Sequence, residues 1–322
     1  YQPILLERGL PAAERKQLVD AFWAGAPLNP DCNVSFGEGG AGTFSDGKLN
    51  TLVKDNAGRN RKVLELFCRF GADSSILYEQ KPHVGTDRLI SIVTAMREEI
   101  LRLGGEVRFS SRAVDFRVEA DKLSAVLIER ADGTRYELKT EVLIAATGHS
   151  ARDTFRALAS RGFSMEAKAF AVGFRVQHRQ RDISLSQYGA READFLPPAP
   201  YKLAAKTSVG RGVYSFCMCP GGFVVNASSE VGGTVVNGMS YADRGSENAN
   251  AAIIVSVTPE DFQRYGTGAL AGLAFQEELE KRAFLAGQGK IPVQLYGDFL
   301  SERESQSFGG IQPCFAGQYR FS

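Results

Sequence analysis

"LIAATGHS", residues 143–150, decides how we interpret the fold. It closes a continuously apolar run, "EVLIAATG", and such runs are typical of strands that are buried on both faces of a parallel sheet. Its small residues, Ala146, Thr147 and Gly148, would let the backbone come close to a bound cofactor. The sequence therefore predicts a buried parallel strand that ends beside a ligand.

The opening stretch, "YQPILLERG", predicts a short buried strand that ends at Glu7 and Arg8. In dinucleotide-binding folds an acidic residue ends the second strand, about 20 residues after the phosphate-binding glycines, and binds the ribose hydroxyls. If Glu7 has that role, the glycine turn lies before Tyr1. Position alone is equally consistent with a Glu7 that caps a surface strand. The chain begins without Met, and we expect it to be a fragment truncated at both ends.

A Gly-rich stretch, "FGEGGAGTFSDGKL" (residues 36–49), partly matches two phosphate-binding motifs. Its first glycines have the spacing G-x-G-x-x-G, and its end fits most of G-x-x-x-x-G-K-[ST]. Leu49, however, stands where a magnesium-binding hydroxyl is required. No strand–turn–helix pattern surrounds either match, and both motifs depend on one. The stretch is therefore neither a P-loop nor a Rossmann fingerprint.

Periodicity predicts the remaining elements. Apolar residues at helical spacing indicate helices at Pro11–Trp23, 60–70, Thr86–Leu103 (with Thr86 as its cap), around 154–158, and at about 269–285. Four short strand-like runs lie between residues 106 and 140, and the last two form a hairpin at Asp132-Gly133. Alternating runs from about Phe170 to Val257 predict a mostly antiparallel sheet.

This order of elements resembles the FAD-binding domain of two-domain flavoproteins of the glutathione-reductase type. The strings "FGEGGAGTFSDGKL", "KPHVGT", "GHSARDTF", "SVGRGVYSFCMCPGG" and "VVNGMS" resemble, more closely, a bacterial family of uncharacterised FAD-dependent dehydrogenases. The resemblance runs from about Glu7 to about Phe315. It implies an α/β fold with a partial Rossmann-type FAD-binding domain and three-strand β-meander at 1–165. An inserted, mostly antiparallel β (α+β) substrate domain would follow at 166–290, and a truncated return segment at 291–322.

The resemblance also implies a set of cofactor-binding positions. Glu7 would contact the adenosine ribose, and Arg8 would lie beside the adenine or phosphate. The pyrophosphate and flavin side would be surrounded by Gly40, Gly42, Thr43 and Lys48. The main chain of Ala113 would meet the adenine edge, and Thr147 and Gly148 would lie along the cofactor.

The implied function is an FAD-dependent oxidoreductase, a dehydrogenase that passes hydride or electrons between flavin and an unknown small-molecule substrate. NAD(P)H is one candidate for the reductant, and the electron donor or acceptor is left open. The alternative is a flavin- or nucleotide-binding module without turnover. No residue is assigned as catalytic. Cys217 and Cys219 are two apart on a predicted strand, so both thiols should share one face. They are either a redox or substrate-contacting pair, or small core residues. His83 is either a proton donor or a loop histidine with a structural hydrogen bond. His149 either approaches the cofactor or begins the next helix, and Arg175 either binds an anionic substrate or faces solvent.

Composition excludes several classes of protein. The formal net charge is +1, which gives no reason to expect a nucleic-acid partner. No apolar run reaches the roughly 18 residues that would cross a membrane. Five cysteines are an odd number, which fits a reducing, cytoplasmic environment, and the C-x-C spacing does not indicate a metal site. The oligomeric state is left open.

Overall fold

The computed structural model describes residues 2–45, 47–49, 54–310, 313 and 315–322. It is mixed α/β with several separate sheets, most of them antiparallel. The strands are β1 (Ile4–Leu6), β2 (Glu106–Arg108), β3 (Ser111–Glu119), β4 (Lys122–Arg130), β5 (Arg135–Lys139), β6 (Phe170–Arg179), β7 (Ala204–Lys206), β8 (Gly212–Cys219), β9 (Phe223–Asn226), β10 (Val236–Met239), β11 (Asn248–Val257), β12 (Ile291–Val293) and β13 (Tyr319–Phe321).

The helices confirm the predicted ones to within two residues at most ends. They are α1 (Ala12–Trp23), α2 (Arg59–Arg69), α3 (Thr86–Arg102), α4 (Arg152–Ser160), α5 (Gln180–Tyr188), α6 (Pro259–Phe262), α7 (Ala271–Ala286) and α8 (Tyr296–Leu300). Short 3₁₀ helices occur at Gly40–Phe44, Ser74–Leu77, Glu192–Asp194, Gln263–Tyr265 and Ala316–Gln318. None of the helices in these described ranges is long and apolar enough to cross a membrane.

The N-terminal part joins distant stretches of the chain around the Gly-rich loop. Strand β1 pairs in parallel with β2, which places the end of β1 next to the start of the meander. A buried apolar cluster then joins α1 and the Gly-rich loop to β9 and β10. Its members are Val19, Trp23, Val34, Phe44, Val225 and Met239. The Trp23 indole N–H also donates to the carbonyl of Asn226 (2.9 Å), so a hydrogen bond as well as apolar packing joins α1 to β9.

The predicted three-strand meander is confirmed. Strands β3, β4 and β5 form an antiparallel sheet in that order, and Gly133 provides the left-handed residue of the last hairpin with φ +79°. Helix α4 packs against β3, over a core that contains Phe116, Val126 and Ile128. One detail of α3 differs from the prediction. Its cap is Gly85, because the Thr86 hydroxyl donates instead to the carbonyl of Ser45 (2.6 Å) and ties the helix to the Gly-rich loop.

The antiparallel sheet of the second half is also confirmed, with the strand order β6-β11-β8-β7. Its aromatic residues are less buried than a core role requires, however. Phe174 is 74% and Phe216 59% exposed, and only Phe170 joins an apolar cluster, around Phe262 and Phe275. Phe174 and Phe216 are therefore not core residues.

The predicted buried strand "EVLIAATG" was wrong. Residues 141–148 form no strand, and Val142 and Ile144 are 77% and 86% exposed. The physical reason is the lack of a partner, because β1 forms its described ladder with β2 and nothing in the described part of the chain pairs with this segment. Likewise β1 is a strand but is not buried, since Ile4 and Leu5 are 40% and 45% exposed.

The last described residues return to the N-terminal helix. Strands β12 and β13 pair in parallel, and the Gln318 amide donates to the carbonyl of Trp23 (2.6 Å). The ring of Phe315 lies 5.4 Å from that of Trp23. The last described residues therefore contact the end of α1, whereas the domain boundaries at 165 and 290 stay a prediction.

Candidate functional site

One cleft of about 2820 Å³ brings most of the predicted positions together. Glu7, Arg8, Gly40, Ala113, Thr147 and Gly148 all line it. Its other walls come from the segment 141–150, β6, β11 and the residues around β12. The volume exceeds the roughly 300–1,000 Å³ of an ordinary ligand pocket, so the cleft has room for a dinucleotide together with a second molecule.

Glu7 connects the end of β1 to the Gly-rich loop. Its Oε1 accepts hydrogen bonds from the backbone N–H groups of Gly9 (2.8 Å) and Gly37 (2.9 Å). Gly9 and Gly37 are in close contact, since a Cβ on Gly9 would lie 2.6 Å from the Gly37 Cα. Both hydrogen bonds described on this carboxylate use the same oxygen, and Glu7 also lines the cleft.

Next to Glu7, two arginines and two aspartates form a network at the cleft wall. Arg8 pairs with Asp153 and, through Nε, with Asp31 at 3.4 Å, and its guanidinium lies 4.3 Å from the ring centre of Phe36. Arg112 lies 3.4 Å from Asp31 and 3.6 Å from Asp153. The two aspartates therefore fix both guanidinium groups where the main chain of residue 113 reaches the cleft.

The Gly-rich loop is held by a residue that the sequence analysis missed. Arg15 of α1 is fully buried, and its three guanidinium nitrogens make five hydrogen bonds to the backbone carbonyls of residues 33, 34, 37, 38 and 40 at 2.7–3.2 Å. Burial lowers the pKa of Arg15 to about 10, so it remains charged at neutral pH. One signal was present in the sequence, because Arg15 shares the helical spacing of the buried Ala12, Val19 and Trp23.

Three predicted positions of the same loop do not line the cleft. Thr43 is 1% exposed, and its hydroxyl faces the carbonyl of Glu38 (3.4 Å). The Lys48 ammonium donates to the carbonyl of Met218 in β8. Gly42 is exposed but lies outside the cleft lining. The geometry thus separates these three from the other six positions.

The residues after the irregular segment 141–146 have the open geometry that their small size predicted. Gly148 has φ +70°, a left-handed conformation that favours glycine, and a Cβ built there would meet no atom within 4 Å. His149 follows on the cleft wall, with Nδ1 2.8 Å from the hydroxyl of Ser150. The backbone at Thr147 and Gly148 is therefore accessible to a ligand even though it is not a strand.

The two cysteines of β8 do not share a face, and that prediction was wrong. Asn250 pairs with Cys219 and Ala252 with Phe216, so β8 has one extra residue at this point, and Cys217 has φ +46°. A β-bulge of this kind breaks the alternation of side chains along the strand. Cys217 lines the cleft, whereas Cys219 is fully buried. The positions of Cys217 and Cys219 therefore do not support a redox dithiol. Another cysteine of the sequence, Cys314, lies outside the described residues.

The bulge also places a cation at the cleft. Arg175 lines the cleft, and its Nη1 donates to the carbonyl of Cys217 (3.3 Å) and to the side-chain oxygen of Asn250. Gly238 leaves room for this arrangement, since a Cβ there would lie 2.4 Å from the side-chain oxygen of the buried Asn250 and 2.8 Å from the sulfur of the buried Cys219. Arg175 therefore has a fixed position and does not simply face solvent.

An ion-pair cluster around the buried Arg152 joins α4 to α7. Arg152 lies 2.6 Å and 3.0 Å from the two carboxylate oxygens of Glu280 and 2.7 Å from Glu230. Arg152 is 5% exposed, and hydrogen bonds and charge attraction from both carboxylates hold its pKa above its usual value, against the opposing effect of burial. The N–H of Thr234, which lines the cleft, donates to the carbonyl of Glu280 (3.0 Å). The cluster therefore helps to fix this part of the cleft wall.

The other histidines lie away from the cleft. His83 lies 3.4 Å from the hydroxyl of Ser240, and its backbone bridges to that of Lys48. His178 is half-buried with Nε2 2.8 Å from the hydroxyl of Tyr201, and burial lowers its pKa below 6.5.

Comparison with known proteins agrees with a flavin site. Residues 169–322 match the family model of the FAD-dependent protein, C-terminal domain-like. This match supports FAD as the cofactor, as the resemblance implied. An "uncharacterized protein" of Clostridium beijerinckii is 46% identical over 325 residues, covering 100% of this chain and 59% of its own. The chain thus spans about three fifths of that relative's length.

Two other similarities are weaker. The tetracenomycin B2 monooxygenase-dioxygenase of Streptomyces olivaceus is 34% identical over 93 residues, covering 28% of this chain and 16% of its own. The solved structure of the flavin-dependent brominase Bmp2 has a TM-score of 0.35 and 13% identity, covering 88% of this chain and 64% of that one. A score this low does not establish a shared fold.

Proposed function

We propose that this chain forms part of an FAD-dependent oxidoreductase, a dehydrogenase that passes hydride or electrons between flavin and a small-molecule substrate. The observation that carries the proposal is the shared cleft. Glu7 and the Thr147-Gly148 pair are about 140 positions apart in sequence, yet both line it, together with Gly40 of the Gly-rich loop. The family match on residues 169–322 supports the same cofactor from independent residues.

The residues present fit the adenosine end of FAD. The second carboxylate oxygen of Glu7 can accept hydrogen bonds from ribose hydroxyls, as the acidic residue of dinucleotide folds does. Arg8 and Arg112 would provide guanidinium N–H donors beside the adenine or phosphate, while their acidic partners balance their charge. The main chain at Ala113 would meet the adenine edge. Gly148 leaves open space along the cofactor.

When bound, the flavin would accept or donate the hydride. The residues of this chain would bind and orient. Arg175 is the cation on the cleft wall that is best placed to orient an anionic or carbonyl-bearing substrate, because three described hydrogen bonds already fix its guanidinium. A return of residues 291–322 towards a Rossmann-type FAD domain is part of this proposal, and the contact of Gln318 with Trp23 supports it.

Flavin content tests the proposal. The purified full-length protein is expected to be yellow with the flavin absorbance bands, and NADH or NADPH is expected to bleach them under anaerobic conditions. A yellow protein that neither nicotinamide nucleotide nor any substrate bleaches would favour a flavin-binding module without turnover. A colourless protein that takes up no FAD would refute both readings.

A further inference from the structure

We infer that Arg15 is a positioning residue that holds the Gly-rich loop in the shape that receives the cofactor; the inference rests on the proposed function. Arg15 itself does not line the cleft. The loop residues that it contacts or that adjoin those contacts do, namely Glu38, Gly39, Gly40 and Ala41. Its contribution is therefore made through the loop backbone.

The contacts show how one side chain shapes the loop. Nη1 donates to the carbonyls of Gly37 (3.2 Å), Glu38 (2.7 Å) and Gly40 (2.9 Å). Nε and Nη2 donate to the carbonyls of Asn33 and Val34 (both 2.9 Å). All five carbonyls are thus turned towards the buried guanidinium. Carbonyl oxygens would repel a phosphate, so turning these five towards Arg15 keeps them from facing the cleft.

Burial makes this arrangement specific to arginine. The planar guanidinium has five donors in a fixed fork, whereas a lysine ammonium has three donors at a single point. Lysine at position 15 would keep the charge but leave at least two buried carbonyls without a donor. The fit is also tight from the loop side, since a Cβ on Gly37 would lie 2.3 Å from the Arg15 Cδ.

Trp23 of α1 contacts the loop and can report on its order. Trp23 is the only tryptophan in the sequence, is 6% exposed, and packs edge-on against Phe44 at the end of the loop with ring centres 6.0 Å apart. A loosened loop should therefore shift the Trp23 emission to longer wavelength and increase its quenching by acrylamide, whether or not FAD is present.

The experiment compares Arg15→Lys and Gly37→Ala with Lys16→Gln, a change at the exposed neighbouring cation of the same helix. Hydrogen exchange of residues 33–45 and Trp23 emission are measured without FAD, and FAD affinity by titration. Since hydrogen bonds to a charged group are lost, we expect both test variants to accelerate loop exchange and weaken FAD binding by about tenfold or more. Lys16→Gln should change neither. Gly37→Ala disturbs the same contact from the loop, so the test stands if Arg15→Lys does not fold.

Two outcomes would overturn the inference. One is a folded Arg15→Lys protein with loop exchange and Trp23 emission like the wild type. The other is a loosened loop with unchanged FAD affinity, which would make Arg15 purely structural. Failure of the proposed function looks different, because then the wild type itself binds no FAD while the exchange measurement still reports on the loop.

Discussion

Replacing Glu7 should separate its two roles, stability of the loop and recognition of the cofactor. Glu7→Ala removes the acceptor for the N–H groups of Gly9 (2.8 Å) and Gly37 (2.9 Å). A buried donor left without a partner costs about 1–3 kcal/mol. Because Glu7 is half-buried and water can partly replace it, we take the lower end for each and expect a loss of about 2–3 kcal/mol in the free energy of unfolding.

Glu7→Gln is the informative partner variant. Its amide oxygen can accept the same two N–H groups, so the stability loss should stay below about 1 kcal/mol. The proposed function, however, has this charge accept from the ribose hydroxyls, and hydrogen bonds to charged groups contribute about 1.5–3 kcal/mol, so its loss should weaken FAD binding by about 10- to 150-fold. Urea unfolding followed by circular dichroism and FAD titration measure the two effects. Glu7→Gln with wild-type FAD affinity, or Glu7→Ala with wild-type stability, would refute the reasoning.

Three further changes test other parts of the cleft. Glu280→Ala leaves the buried Arg152 with one partner and should cost about 2–4 kcal/mol in unfolding free energy, whereas Glu277→Ala, an exposed pair on the same helix, should cost less than about 1 kcal/mol. Because the folded-state pKa of His178 is depressed, urea midpoints should fall as pH drops through 6.5, and less so in His178→Leu. Gly238→Ala, whose Cβ would lie 2.4 Å from a buried side-chain oxygen, should lower the melting temperature markedly.

The sequence predicted the elements whose signals are local. Helix α3 repeats apolar residues at helical spacing, and the meander alternates and turns at Asp132-Gly133, so both were found with nearly correct ends. The run 141–148 was different. Its apolar character indicated contact with something, but a strand also needs a neighbouring backbone, and no composition reveals whether one is present. These apolar side chains line the cleft instead, so the apolar run is present although the segment is not a strand.

The two residues that organise the Gly-rich loop show where prediction from a single sequence ends. Glu7 could be found because its signal is its place at the end of a strand. Arg15 could not be interpreted in the same way, since its partners are carbonyls 18 to 25 positions away, and a backbone carbonyl is the same whatever residue carries it. A charged residue at the buried spacing of a helix nevertheless requires partners. In a chain with a nearby loop rich in glycine, whose carbonyls no side chains cover, that requirement points to the loop.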